Sequence, residues 1–80
     1  MRVDYVGKSI DYKYRIAEIS CKEKELDKLE EISKIMLKEF SYRIDIVTDG
    51  YALCLVDDYD DYKNFMSCWK ESKKILKERK

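Results

Sequence analysis

Five residues near the start of the chain, Arg2-Val3-Asp4-Tyr5-Val6, return in altered form as Arg43-Ile44-Asp45-Ile46-Val47. Each copy is followed by a turn signal, a second apolar stretch and a long charged amphipathic segment. Strand-like alternation giving way to helical periodicity, twice over, reads as β-β-α-β-β-α. The predicted fold class is therefore α+β: a four-stranded, mainly antiparallel sheet with two helices on one face, one domain over residues 1–80 made of two halves, 1–41 and 42–80. Should the first hairpin not form, one long strand near 10–19 remains and the topology becomes β-α-β-β-α.

The second hairpin has the sharper signature, because Asp49-Gly50 stands between Tyr42–Thr48 and Tyr51–Val56, and Asp-Gly flanked by apolar alternation favours a two-residue turn. Such a turn fixes the register: Thr48 opposite Tyr51, Ile46 opposite Leu53, Ile44 opposite Leu55. On this reading Ile44, Ile46, Leu53 and Leu55 form the core face. Val47, Ala52, Cys54 and Val56 fall on the other face, which no remaining element covers, and they are expected to form a contact strip for a two-fold homodimer or a heterologous partner. The same logic at Gly7-Lys8 pairs Tyr5 with Ile10 and Val3 with Tyr12, sets Asp4 against Asp11, and places a bulge or strand end between Ile16 and Ala17, where the apolar phase slips.

Ser20-Cys21-Lys22-Glu23 has capping-box spacing and predicts a helix start. Leu26, Leu29, Ile32, Met36, Leu37 and Phe40 fall on one helical arc, with Ile35 off it. The second helix is expected to begin after Asp57 or Asp58, with Tyr59, Tyr62, Phe65, Met66, Trp69 and Leu76 as its apolar stripe. Trp69, Phe65, Phe40 and Leu29 are the expected core residues.

Several chemistries are excluded or disfavoured. With no histidine among 80 residues, Ser-His and Cys-His nucleophilic pairs are impossible. Gly7-Lys8-Ser9 resembles the tail of a phosphate-binding loop, but the glycine required five residues earlier is replaced by Arg2. The run from Asp57 to Tyr62 is rich in oxygen ligands yet lacks the spacing and glycine of a calcium loop. Cys21, Cys54 and Cys68 are too few and too widely spaced for a disulfide framework or a zinc site, and free thiols are expected. No cofactor and no metal is expected. No apolar run is long enough for a membrane span and no secretory leader is evident, so a cytoplasmic protein without a membrane partner is expected.

Seventeen basic and 17 acidic side chains cancel, but they are segregated. Asp57, Asp58, Asp60 and Asp61 form an acidic knot around Tyr59, while the C-terminal end is basic. Carboxylates at a helix start and cations at its end are favoured by the macrodipole. The Tyr12-Lys13-Tyr14-Arg15 run alternates aromatic and cation as nucleic-acid sheets do, but its tyrosines fall on the core face, and a neutral chain lacks a general affinity for phosphate. By elimination, the expected function is that of a small non-catalytic protein-binding module acting by surface occlusion. Its partner-binding residues would be Asp57, Asp58, Tyr59, Asp60 and Asp61, set against an Arg- or Lys-lined groove on a partner. Size and a Lys-, Glu-, Ile- and Tyr-rich composition extend this expectation to a phage- or virus-encoded inhibitor of host defence machinery. The alternative is a nucleic-acid-binding regulator using Lys70, Lys73, Lys74, Lys77 and Lys80.

Overall fold

A computed structural model describes residues 1–7, 15–48 and 50–79. Strands β1 (Arg2–Val6) and β2 (Arg15–Ser20) are followed by a single 3-10 turn (Glu23–Glu25) and helix α1 (Leu26–Phe40). Strands β3 (Asp45–Thr48) and β4 (Tyr51–Val56) are followed by α2 (Tyr59–Glu78). The sheet is antiparallel throughout, in the order β1-β2-β4-β3, and both helices pack on one face of it. The α+β architecture and the twice-written β-β-α order are thus as the repeat predicts. Among the described residues, no helix is long and apolar enough to cross a membrane.

The register differs from the expected one in both hairpins. Thr48 does oppose Tyr51, but a bulge at Val47 then shifts the pairing, so that Ile46 meets Ala52 and Asp45 meets Leu53. In the first hairpin Tyr5 pairs with Ala17 and Val3 with Ile19. The expected partners Ile10, Asp11 and Tyr12, together with Lys8, Tyr14 and Asp49, lie outside the described residues. Asp4 still faces a like charge, Glu18. Arg2 Nε at 2.8 Å from Asp4 and the Tyr51 hydroxyl, donating to Glu18 at 3.1 Å, offset that repulsion. Ile16 and Ala17 are both buried in an uninterrupted strand, so the slip in apolar phase there reflects two apolar faces rather than a bulge.

The core face of β4 is the opposite of the one expected. Ala52, Cys54 and Val56 lie beneath the helices and are buried, which removes them as a contact strip. Of the four residues expected inside, Leu55 is 52% exposed and Ile46 is also exposed, while Leu53 is buried and Ile44 packs against the core cluster. Of the expected dimer strip only Val47 is at the surface, displaced there by its bulge. The physical reason is packing volume. Ala17, Ala52 and Cys54 offer a shallow floor on which Phe65, Trp69, Leu29, Ile32 and Met36 fit, whereas a floor of leucines would hold the helices off the sheet.

Helix α1 starts later than Ser20, which ends β2. The Lys22 N–H donates to Glu25 Oε1 at 3.0 Å, closing the helix start there. The buried arc is Leu29, Ile32, Ile35 and Met36, so Ile35 is core at 2% exposure and Leu37 is outside at 54%. Helix α2 begins where expected, with Asp58 as N-cap accepting from the Asp61 N–H at 2.8 Å. Phe65 and Trp69 are buried, 6.0 Å apart between ring centroids, while Phe40 is half-buried against the same core.

Among the described residues, two backbone positions carry positive φ. Gly50 (φ 83°) also lies so close to the Cys21 carbonyl that an added Cβ would stand 2.7 Å from its oxygen, and the Gly50 carbonyl accepts from the Cys21 N–H at 2.9 Å. Gly50→Ala should therefore cost at least about 2 kcal/mol. Ser41 (φ 61°) ends α1 in the left-handed conformation, with the Tyr42 N–H donating back to the Met36 carbonyl. A glycine removes the Cβ penalty there, so Ser41→Gly should gain about 0.5–1 kcal/mol. Opposite shifts of the urea midpoint in the two variants are the expected result. Ser72 is fully buried and its Oγ has no partner among the described residues. Ser72→Ala should add about 1 kcal/mol by the same measurement, since it removes an unpaired hydroxyl and improves helix propensity.

Candidate functional site

One residue of the acidic knot, Asp61, is half-buried and serves as a corner brace. The Asp61 carboxylate accepts from the Tyr42 hydroxyl at 2.6 Å through one oxygen and from the Asp57 N–H at 2.8 Å through the other. Asn64 Nδ2 donates to the Tyr42 oxygen at 2.9 Å, and the Tyr42 ring packs edge-on against Phe65. Asp58 is spent on the helix cap. Of the five residues expected to meet a partner, Asp57, Tyr59 and Asp60 keep their outward groups. Tyr59 is 54% exposed and forms a cluster with Tyr5 and Tyr62, at 5.2 and 6.0 Å between centroids. Lys63 Nζ lies 5.5 Å over the Tyr59 ring and 3.5 Å from Asp60.

The basic residues come together differently. Strands β2 and β4 are antiparallel and each leads into a helix, so α1 and α2 also run antiparallel and the start of α1 lies beside the end of α2. There Lys73, Lys74 and Lys77 of α2 and Lys28 of α1 line a cleft of about 480 Å³ with Leu76. Lys70 does not line it, and Lys80 lies outside the described residues. None of the four lining lysines makes an ion pair with a described residue. Lysine stems are aliphatic and Leu76 is buried, so the cleft has apolar walls under cationic heads. The three lysines at the end of α2 suit its dipole, but Lys28, in the first turn of α1, opposes the dipole there. Sequence reading missed Lys28 because its neighbourhood with Lys73–Lys77 exists only once the helices are packed.

The three cysteine thiols are shifted away from reactivity. Burial pushes the Cys54 thiol up to about 12, and burial also raises Cys21 and Cys68, so all three favour the thiol over the nucleophilic thiolate. Burial, then the hydrogen bond to Asp61, raises Tyr42 to about 12, and Tyr62 is raised first by burial as well. Glu25 is lowered, chiefly by the Lys22 N–H. Among the described residues no three His, Cys, Asp or Glu side chains gather as a metal-binding set. No family model, curated protein or solved structure matches the chain.

The brace can be read by titration. Because the Tyr42 hydroxyl is held protonated in the folded state, its contribution to stability is complete below pH about 10 and is lost as pH rises towards about 12. Asp61→Ala should cost about 1–2 kcal/mol at neutral pH, because the Tyr42 hydroxyl keeps only its longer contact to the residue 61 carbonyl, at 3.3 Å, and the Asp57 N–H loses its acceptor. The same change should bring the Tyr42 ionisation, followed by ultraviolet absorbance against a Tyr42→Phe reference, down towards the ordinary tyrosine value.

Proposed function

We propose that this chain is a small non-catalytic protein-binding module whose α1/α2 cleft holds an acidic, partly apolar segment of another protein and thereby occludes it. The observation that carries this reading is the gathering of Lys28, Lys73, Lys74 and Lys77 around Leu76, none of them in an ion pair with a described residue. Four like charges about one concavity repel one another and lower the stability of the free protein. An anionic occupant reverses that sign and gains the cleft's apolar wall besides.

A peptide suits the cleft better than a nucleic acid does. Among the described residues no aromatic ring lines it to stack a base, and a net charge of zero gives the chain no general affinity for a phosphate backbone. The reading moves the contact from the acidic knot to the opposite end of α2, because two of the knot's four carboxylates, Asp58 and Asp61, are engaged in capping and bracing.

Fluorescence anisotropy with a fluorescein-labelled peptide of repeating Glu-Glu-Leu should show saturable binding that weakens with added salt. A Lys73→Gln/Lys77→Gln variant should bind at least about tenfold more weakly, equivalent to about 1.4 kcal/mol. Tighter binding of a labelled single-stranded oligonucleotide than of the peptide, with a steep salt slope, would replace this reading by the nucleic-acid one. Equal binding of an acidic and a basic peptide would remove the cleft from consideration.

A further inference from the structure

The two ends of α2 are chemically matched to each other. Its first turn and the residues before it present the outward carboxylates of Asp57 and Asp60 beside the exposed ring of Tyr59. Its last turns present three of the four cleft lysines. At 1.5 Å per residue, Tyr59 and the Lys73–Lys77 group are about 25 Å apart on one rigid helix, so a single molecule does not bring them together. Two molecules do. We propose that the cleft of one copy receives the acidic-aromatic end of a second, so that the chain assembles head to tail.

The free molecule already shows what the acidic-aromatic end holds. Lys63 places its ammonium over the Tyr59 ring and against Asp60, with the Asp60 side chain 87% exposed and the pair open to water. A pair that exposed is weakly held and exchanges readily. The cleft offers the same chemistry four times over, with an apolar wall to receive the ring. A lysine ammonium over a tyrosine face gains strength as water leaves the contact. The net charge of zero adds no long-range repulsion between copies, while the segregated charge orients them.

A contact between two different patches is heterologous. It closes into a ring if the rotation per step permits and otherwise runs on as an open chain. This distinguishes the assembly from a two-fold dimer built on the buried face of β4. The inference rests on the reading of the cleft as a seat for acidic segments, and adds that this chain's own residues 57–60 are such a segment.

Two neutralising variants test it. Asp57→Asn/Asp60→Asn blocks the head and leaves the cap at Asp58 and the brace at Asp61 in place. Lys73→Gln/Lys77→Gln blocks the tail. In sedimentation velocity from about 5 to 500 μM, the unaltered protein should show a sedimentation coefficient that rises with concentration and falls back in about 0.5 M salt. Each variant alone should remain a monomer, with unchanged far-ultraviolet circular dichroism. An equimolar mixture should form a complex that stops at two molecules, because only one intact head and one intact tail remain in the pair. A synthetic peptide of residues 57–62 should compete with assembly and bind the tail-blocked variant at least about tenfold more weakly than the unaltered protein. An unaltered protein that stays monomeric while binding the Glu-Glu-Leu peptide would overturn the head-to-tail proposal and leave the cleft reading standing. A monomer that binds neither peptide would overturn both. Self-association that survives both sets of substitutions would place the contact elsewhere and overturn the proposal as well.

Discussion

The pairing of β2 with β4 is the constraint on which the rest of this structure depends. The two strands lie at the centre of the sheet and are joined in register from Arg15 opposite Val56 to Ser20 opposite Tyr51, across the whole of α1 and β3. That register stacks Ala17 beside Cys54 and Ile19 beside Ala52 on one face, which is the face both helices cover. A slip of one residue would set Ile16 and Leu53 against Phe65 and Trp69, with side chains too large for the space. The Cys21 N–H bond to the Gly50 carbonyl continues the same ladder into the β3–β4 turn, and so ties a local hairpin to a non-local pairing. Gly50 is bound twice, once by its own φ and once by the Cys21 backbone against it.

What was legible in the amino-acid pattern, and what was not, follows from the range over which each signal acts. The pairing of Thr48 with Tyr51, the Asp58 cap and the stripe through Phe65, Trp69 and Leu76 are set by neighbours within a few residues, and the structure carries all three. The facing of β4 is a different matter. Tyr51-Ala52-Leu53-Cys54-Leu55-Val56 is apolar at every position, so alternation has no phase to read, and the larger residues are a poor guide when the covering helices supply the bulk themselves. The bulge at Val47 is equally silent, since an extra residue between two apolar ones leaves the composition unchanged. In α1, Ile35 and Leu37 are both apolar and flank Met36, and only the direction of approach of α2 decides that Ile35 goes in.

The candidate site was half legible for the same reason. Lys73, Lys74 and Lys77 are close in sequence and stood out as a basic run, but a run of lysines at a helix end has a sufficient cause in the helix dipole. Lys28 changes its meaning. It comes from a different helix, from an end where a cation opposes the dipole, and it closes the fourth side of a cleft that already holds three positive charges. The acidic knot changes meaning in the opposite direction. Read as a row of free carboxylates, it is in the folded protein a cap at Asp58 and a brace at Asp61, with Asp57 and Asp60 left over.

That division of labour within the knot explains how one short segment serves stability while leaving two carboxylates for the contact proposed above. Asp61 is fixed by two hydrogen bonds and in turn fixes Tyr42, which links the end of α1 to the start of α2. The corner is therefore rigid, and side chains presented from a rigid corner lose little further entropy on contact. The Tyr5–Tyr59–Tyr62 cluster extends the same support to the Tyr59 ring, which packs against its two neighbours yet stays more than half exposed. At the other end, the stems of the cleft lysines stand on the packed turn around Leu76, so their heads move but their roots do not. Helix α2, 20 residues long and buried along one stripe, holds these two opposed surfaces at a constant separation. Charge that cancels over the whole chain is thereby kept apart along its longest element, and a neutral protein presents one acidic and one basic surface at fixed spacing.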